Sequence, residues 1–404
     1  MWFLIPARNL TRNVRRTALS LAIIGLGAAL SFVVLGFVFS SIDIIQDSLL
    51  KRYSNVQIAR QSVWEEGSSE LSKPITSEDF IRLKEIIKET PEIANFSSQL
   101  SFLGLLVKNS TSQPVRIIAV EPGSSVINYA DSLISGRGLE SGDRKTALIG
   151  ETLSEKLEIA TEDTLRVIVD RGDGESKIGT LKVAGVYRAQ SEEVEGRQIY
   201  IPLPYGQELA GSDVIGKVAV SLENRNTTDR VANELEKKFS AASLPLSTRT
   251  WKELSSFYSM LRGFFTLIFG FLVIVVSVLV FFIVLQVLTM SFLERSREIG
   301  TVRALGTLQG EVFRMFTVES LILGVLGGII GLGVGVLIAL VFNGIGFNWT
   351  PPGSVEPVIL KVKMSWRNTW PPFLISLLAT VISSIYPAYR MSKTDIVDAL
   401  RVEE

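Results

Sequence analysis

Residues 294–306 read Glu-Arg-Ser-Arg-Glu-Ile-Gly-Thr-Val-Arg-Ala-Leu-Gly. They separate two apolar runs, residues 263–292 and 317–345, each longer than the roughly 20 residues a helix needs to cross a bilayer. A loop between spans needs only polar residues, yet residues 293–316 carry four arginines and three glutamates. Gly306 marks a turn, and beyond it Thr307 is placed to cap a helix. Leu308, Val312, Met315 and Phe316 follow at helical spacing as an apolar stripe, and Glu311 and Arg314 form a surface pair. Residues 294–305 read as an extension of the preceding span. Ile299, Val302 and Leu305 recur every third residue there, but Arg295 and Glu298 fall on the same side. The segment describes a surface held by another protein, or else an amphipathic helix lying at the membrane interface.

Two further apolar runs, residues 18–42 and 370–389, bring the expected spans to four, in a 1+3 arrangement around a large α+β domain at residues 43–258. The first run is about 25 residues long, too long for a signal-peptide core, and no small-residue cleavage site follows it, so it reads as an uncleaved anchor. Arg8, Arg12, Arg15 and Arg16 precede it and no acid appears before Asp43, which places residues 1–17 in the cytoplasm. Residues 43–258 then lie outside, 293–316 inside, 346–369 outside and 390–404 inside. The domain's 26 basic and 32 acidic residues agree with that sidedness, whereas Lys361, Lys363 and Arg367 run against it.

Of residues 259–292, the apolar run 263–292 alone exceeds what a span requires: 30 helical residues reach about 45 Å, against a hydrocarbon core of about 30 Å. Because residues 251–262 also read as helix, the second span is expected to rise into the outer domain as a stalk. In the third span Gly327, Gly331 and Gly335 are four apart and share a face suited to close helix packing, within the chain or at a seam between subunits. Glu319 lies near the end of that span, where it reaches the interface or pairs with an arginine.

The chain has no cysteine and no histidine. This excludes disulfides, thiolate nucleophiles, Cys/His zinc sites and histidine acid–base chemistry. No Gly-x-x-x-x-Gly-Lys-Ser/Thr phosphate loop and no Gly-x-Ser-x-Gly elbow occurs, so no catalytic residue, metal or cofactor site is assigned. In the outer domain, Thr76 caps a helix, strands are expected at 100–107, 115–120, 147–150, 165–169, 181–187 and 217–222, and helices at 152–157 and 228–239. A turn falls at 171–174. The acidic cluster Glu192, Glu193 and Glu195 reads as a solvated loop, with a partner-binding loop as the alternative.

Three stretches carry a resemblance. Residues 8–17, Arg-Asn-Leu-Thr-Arg-Asn-Val-Arg-Arg-Thr, precede the first span; residues 294–306 follow the second; Tyr-Pro-Ala-Tyr-Arg at 386–390, with residues 395–401, ends the fourth. Together they resemble the MacB/FtsX/LolC–LolE permease family of ABC transporters. The outer domain is similar to that family's periplasmic core more loosely, through Ser135-Gly136-Arg137, residues 147–151 and Val183-Ala184-Gly185-Val186.

The resemblance implies a non-enzymatic permease in the bacterial cytoplasmic membrane, working as a pair, with a second copy or a paralogue, around a cytoplasmic ABC ATPase dimer that would hold ATP and Mg²⁺. It implies mechanotransmission: a coupling helix after the second span sits on the ATPase, and motion passes to the periplasmic domains. Glu294, Arg295, Arg297, Glu298, Arg303, Gly306, Leu308, Glu311, Val312, Arg314 and Met315 are the candidate ATPase-coupling residues. With the first span so near the chain start, the likeness is to stand-alone permeases rather than to MacB with its fused ATPase.

Extraction or export of a lipoprotein, lipid or other hydrophobic substrate is the first functional expectation. Phe32, Phe37, Phe264, Phe265 and Phe269 would line an intramembrane cavity, though each also reads as a packing or lipid-facing residue. Residues 349–353, Trp-Thr-Pro-Pro-Gly, would shape its outer mouth. Membrane lipid and a periplasmic carrier or adaptor protein are further expected partners; nucleic acid is not. The alternative is an FtsX-like scaffold that activates a periplasmic enzyme without transport.

Overall fold

The computed structural model describes residues 14–65, 70–71, 73–109, 111–124, 126, 133–170, 176–188, 195–349 and 357–394, the side chains of Arg16, Ser256, Phe257, Phe292 and Trp349 excepted. The arginines at 8 and 12, the turn at 171–174, Glu192 and Glu193, residues 350–353 and residues 395–401 lie outside them. The chain divides into two compact units. One comprises residues 45–259 and 349–358, the other residues 1–44, 260–348 and 359–404.

The first unit is built on ten strands: β1 (Val56–Arg60), β2 (Ile93–Lys108), β3 (Thr111–Val120), β4 (Leu133–Gly136), β5 (Thr146–Gly150), β6 (Thr164–Asp170), β7 (Ser176–Tyr187), β8 (Gln198–Pro202), β9 (Lys217–Leu222) and β10 (Leu246–Thr250). Their pairing runs β10-β1-β9-β2-β3-β8-β5-β7-β4, and β6 bridges β2 and β7. Strands β2, β3, β8, β5, β7 and β6 therefore close into a six-stranded ring. Alternate residues point inward, so Leu100, Phe102 and Leu106 of β2 meet Ile117, Ile149, Val167, Leu181 and Ile199 in a single core.

Sixteen-residue β2 also extends beyond the ring. Its first half joins β9, β1 and β10 in a sheet whose core, Val56, Ile58, Val218 and Val220, is covered by the helices Ser77–Lys88 and Thr228–Ala241. The Thr76 hydroxyl caps the first of these by accepting from the Asp79 N–H at 3.2 Å. The domain thus has two cores that share one strand.

The family-like motifs of this domain meet in one place. Gly136 of β4 pairs with Gly185 of β7. Gly136 has φ of +76°, and a Cβ there would strike the Ala184 carbonyl oxygen and come within 2.7 Å of the Gly185 Cα. Glycine is required on both counts. The next residue, Arg137, forms a bidentate ion pair with Asp143 at 2.7 and 2.8 Å.

Among the described residues, the second unit contains four helices long and apolar enough to span a membrane: Val14–Tyr53, Ser256–Glu294, Gln309–Ile345 and Trp366–Lys393. The first and second run past the apolar runs that predict them, the first as far as Tyr53. The stalk is not continuous with the second long helix. Thr250 and Glu253 form a capping box that makes Trp251–Leu254 a separate turn of helix, Ser255 is extended (φ −114°, ψ 87°), and its hydroxyl accepts from the Tyr258 N–H to start the long helix.

Gly327, Gly331 and Gly335 lie against the first long helix, at Ile24, Gly25, Ala28, Ala29 and Phe32. Gly324 and Gly328 lie against the fourth, at Leu377, Thr380, Phe373 and Ser376. These glycines thus make close helix contacts within the chain. Buried Ser376, Thr380, Ser383 and Ser384 complete the contact with the fourth helix, their hydroxyls bonded to carbonyls three or four residues back.

Residues 360–365 strap the ends of these helices. The Asn343 side chain donates to the Val362 carbonyl and accepts from its N–H, at 3.0 and 2.8 Å. The Lys363 N–H donates to the Gly36 carbonyl, and the Lys363 ammonium pairs with Asp43. A basic residue that conflicted with the charge rule is therefore neutralised by an acid on a neighbouring helix.

Candidate functional site

The second and third long helices are joined by a separate helix, Ser296–Ala304. The expected extension of the second helix stops at Glu294, because Arg295 leaves helical geometry (φ −100°, ψ 10°). The turn expected at Gly306 is present, with φ of +103°. The third helix starts one residue later than a Thr307 cap predicts. Leu308 occupies the cap position, and Glu311 reaches back to accept from its N–H at 3.1 Å.

This arrangement sorts the candidate coupling residues. Ser296, Ile299 and Gly300 face inward on the connecting helix. Ile299 joins Val280, Val284, Leu288, Val312, Phe316 and Leu323 in the apolar core of the unit. Val312 is 2% exposed and Phe316 is fully buried, so the stripe expected to meet a partner holds the helices together instead. Met315 packs against the same core. Arg295 also turns inward: its Nη1 lies 3.2 Å from both carboxylate oxygens of Glu319, and its Nε lies 3.5 Å from Glu298 Oε2. Arg303 donates to the Thr394 carbonyl at the end of the fourth helix.

What remains outward is Glu294, Arg297, Glu298, Gly306, Leu308 and Arg314, together with Val302 and Leu305, which the apolar stripe did not include. Leu305 is 84% exposed and Leu308 70%. The exposed face is a short apolar ridge flanked by charges, set on the connecting helix and the turn after it. The signal for it was the Val302–Leu305 spacing; only the burial of Ile299 separates this face from the inward one.

The aromatic candidates do not form one lining. Phe32 is fully buried between helices, beside Gly335 and Ala339. Phe37, Phe265 and Phe269 form a chain of ring contacts at 6.4 and 5.8 Å between centroids, and exposed Phe264 touches its end. A small cavity among the long helices, about the size of a water molecule, is lined by Gly27, Ser31, Val276, Ser277, Val280 and Ser376. In the outer domain, Glu195 is buried and accepts from the Thr152 hydroxyl at 2.9 Å, so this acid of the cluster is structural rather than solvated. No group of acidic residues that could hold a metal ion occurs among the described residues.

The profile of the MacB-like periplasmic core domain matches residues 17–238, more than half of the chain, and that of the FtsX-like permease C-terminal region matches residues 267–396. The chain belongs to the MacB/FtsX family of ABC transporter permeases. Residues 294–306, which lie within the matched permease region, form the connecting helix with its flanks. An uncharacterized ABC transporter permease of Methanocaldococcus jannaschii is 28% identical over 68% of this chain and 67% of its own length. The uncharacterized ABC transporter permease YknZ of Bacillus subtilis is 32% identical over 30% of this chain and 27% of its own. The macrolide export ATP-binding/permease protein MacB of Bdellovibrio bacteriovorus is 29% identical over 30% and 17%, so the chain spans only a minor part of these last two relatives. Among solved structures, the extracellular domain of YknZ aligns with 48% of this chain and 100% of its own (14% identity, TM-score 0.34). The periplasmic region of MacB from Actinobacillus actinomycetemcomitans aligns with 51% and 92% (14% identity, TM-score 0.36).

Proposed function

We propose that this permease couples ATP hydrolysis by a separate cytoplasmic ABC ATPase, which holds ATP and Mg²⁺, to movement of its outer domain, and that the movement extracts or exports a lipoprotein, lipid or other hydrophobic substrate. The observation that carries the reading is the exposed ridge of Val302, Leu305 and Leu308 between Arg297, Glu298 and Arg314. Large apolar side chains on a charged helix are costly in water and mark a contact surface. Membership in a family of ABC transporter permeases supports an ABC ATPase as the partner. In this reading the termini and the connecting helix are cytoplasmic, the outer domain is periplasmic, and a second permease copy or paralogue completes the membrane part.

A photoreactive amino acid at Leu305, in cells expressing the full chain, tests the contact. The expected product is a crosslink to an ABC ATPase subunit. Crosslinks to lipid alone would leave the ridge as an interfacial helix and remove the basis of the proposal. Mass spectrometry of lipids and proteins retained in mild detergent would identify the cargo class.

A further inference from the structure

The four long helices are not equally tied together. The first, third and fourth are locked by glycine contacts at Gly324, Gly327, Gly328 and Gly331, and by the strap through Asn343, Gly36 and Lys363. The second is only 11% buried along its most apolar stretch, against 50% for the first. Val280 seats over Gly27 of the first helix, Val284 and Leu288 join the shared apolar core, and Gln46 of the first helix donates to the Tyr258 hydroxyl near the start of the second. At its other end a directional contact is made by Arg295, the residue at the break before the connecting helix, bound through Nη1 to both oxygens of Glu319 on the third helix.

Both side chains are largely out of solvent, Arg295 at 13% exposed and Glu319 at 7%, beside an apolar core of Ile299, Val312, Phe316 and Met391. Removing two charges from water is expensive, and an apolar pair of similar volume is often as stable or more stable. Cohesion therefore does not account for the pair. What an ion pair adds is one required geometry. Ionisable groups within spans mark working parts more often than structural ones.

We infer that Arg295 and Glu319 form a positioning latch, which ties the connecting helix to the third long helix so that displacement of the connecting helix is passed on instead of being absorbed at the break. Glu298, 3.5 Å from Arg295 Nε, is the second acid facing the latch. Arg303, bound to the Thr394 carbonyl, anchors the far end of the connecting helix to the fourth long helix. The inference rests on the docking role of the connecting helix for its use, but not for its geometry.

The chain lacks cysteine, so two introduced cysteines can carry spin labels without background. Thr301→Cys and Leu337→Cys, both at exposed positions, would report the separation of the connecting and third helices in the full chain in lipid nanodiscs. A single narrow distance is expected for the parent. Glu319→Gln should lose it in favour of a broad distribution, and the charge swap Arg295→Glu with Glu319→Arg should regain it. The apolar pair Arg295→Met with Glu319→Leu should unfold at the parent temperature or above yet remain broad, which separates positioning from stability. A narrow parent-like distance in both Glu319→Gln and the apolar pair would overturn the latch. This measurement needs no ATPase, so its failure is distinct from failure of the Leu305 crosslink: a missing crosslink refutes docking, and an unchanged distance refutes the latch.

Discussion

Gly331 of the third long helix sits so close to Gly25 of the first that the Gly25 carbonyl oxygen occupies the space a Cβ at 331 would need, with the Ala28 Cβ 2.7 Å away on the same side. Gly331→Leu should therefore force the helices apart, at a cost of about 1–3 kcal/mol or more. Gly333, with nothing within 4 Å of a Cβ, is the internal control. Thermal unfolding in detergent should drop for Gly331→Leu and hold for Gly333→Leu; equal midpoints would mean that the glycine face is not a packing seam.

Gly136→Ala should destabilise the outer domain. Left-handed backbone costs an L-residue about 1–2 kcal/mol, and the clash with the Ala184 carbonyl adds to it. Limited proteolysis of the full protein should show faster cleavage within residues 133–187. Wild-type resistance would mean that the β4–β7 contact can relax at little cost.

The outer domain should lose stability in acid. The hydrogen-bonded Arg137 guanidinium holds the Asp143 carboxyl below its ordinary value of 3.8, against an opposing effect of burial. Glu151 is lowered in the same way by Arg188. A carboxylate whose folded pKa is depressed contributes stability that is present above the unfolded value and is lost as pH falls through the folded one. Unfolding midpoints should thus decline below about pH 4. The decline should be shallower in Asp143→Asn, which begins from a lower midpoint at neutral pH. An unchanged slope would show that other groups govern the acid limb.

Reversing the exposed charges, Arg297→Glu with Glu298→Lys, should uncouple a bound ATPase from substrate release. Because Glu298 lies in the first turn of the connecting helix and pairs with Arg295, Arg297→Glu alone is the variant expected to keep stability within about 0.5 kcal/mol of the parent. ATP turnover with and without the permease is the measurement. Full stimulation in the reversed protein would place the contact elsewhere.

Asn343→Ala should free the strap. It leaves the Val362 N–H and carbonyl without their side-chain partners, a loss of about 1–3 kcal/mol where such groups are buried. Hydrogen exchange at residues 360–365 should accelerate, while exchange within residues 309–330 stays slow. Uniform acceleration would indicate general loosening of the helices.

Much of this was legible because the signals were local. Spans follow from apolar length, the helix after Thr76 from its cap, and strands such as β3, β6 and β9 from alternation. β1, β8 and β10 were not found: each is five residues long, and Gln198–Pro202 carries a proline, so periodicity has little to act on. Closure of the six-stranded ring was invisible because it depends on β6 reaching β2 some sixty residues earlier in the chain. At the candidate site the sequence marked the segment but not which of its faces is buried, since a three-residue repeat does not say which side meets neighbouring helices.

Composition and order alone determined a four-span membrane chain, one large inserted domain, and a charged connector after the second span. Those properties arise from solvent: lipid demands long apolar helices, and water accepts the charged remainder. The tertiary structure decided that Arg295, Val312 and Phe316 turn inward while Val302, Leu305 and Leu308 stay exposed. It also decided that the glycine face of the third helix serves the first helix of the same chain. Such choices depend on which surfaces approach closely enough to exclude other contacts, a property of packing between segments far apart in sequence and not of any segment's own pattern.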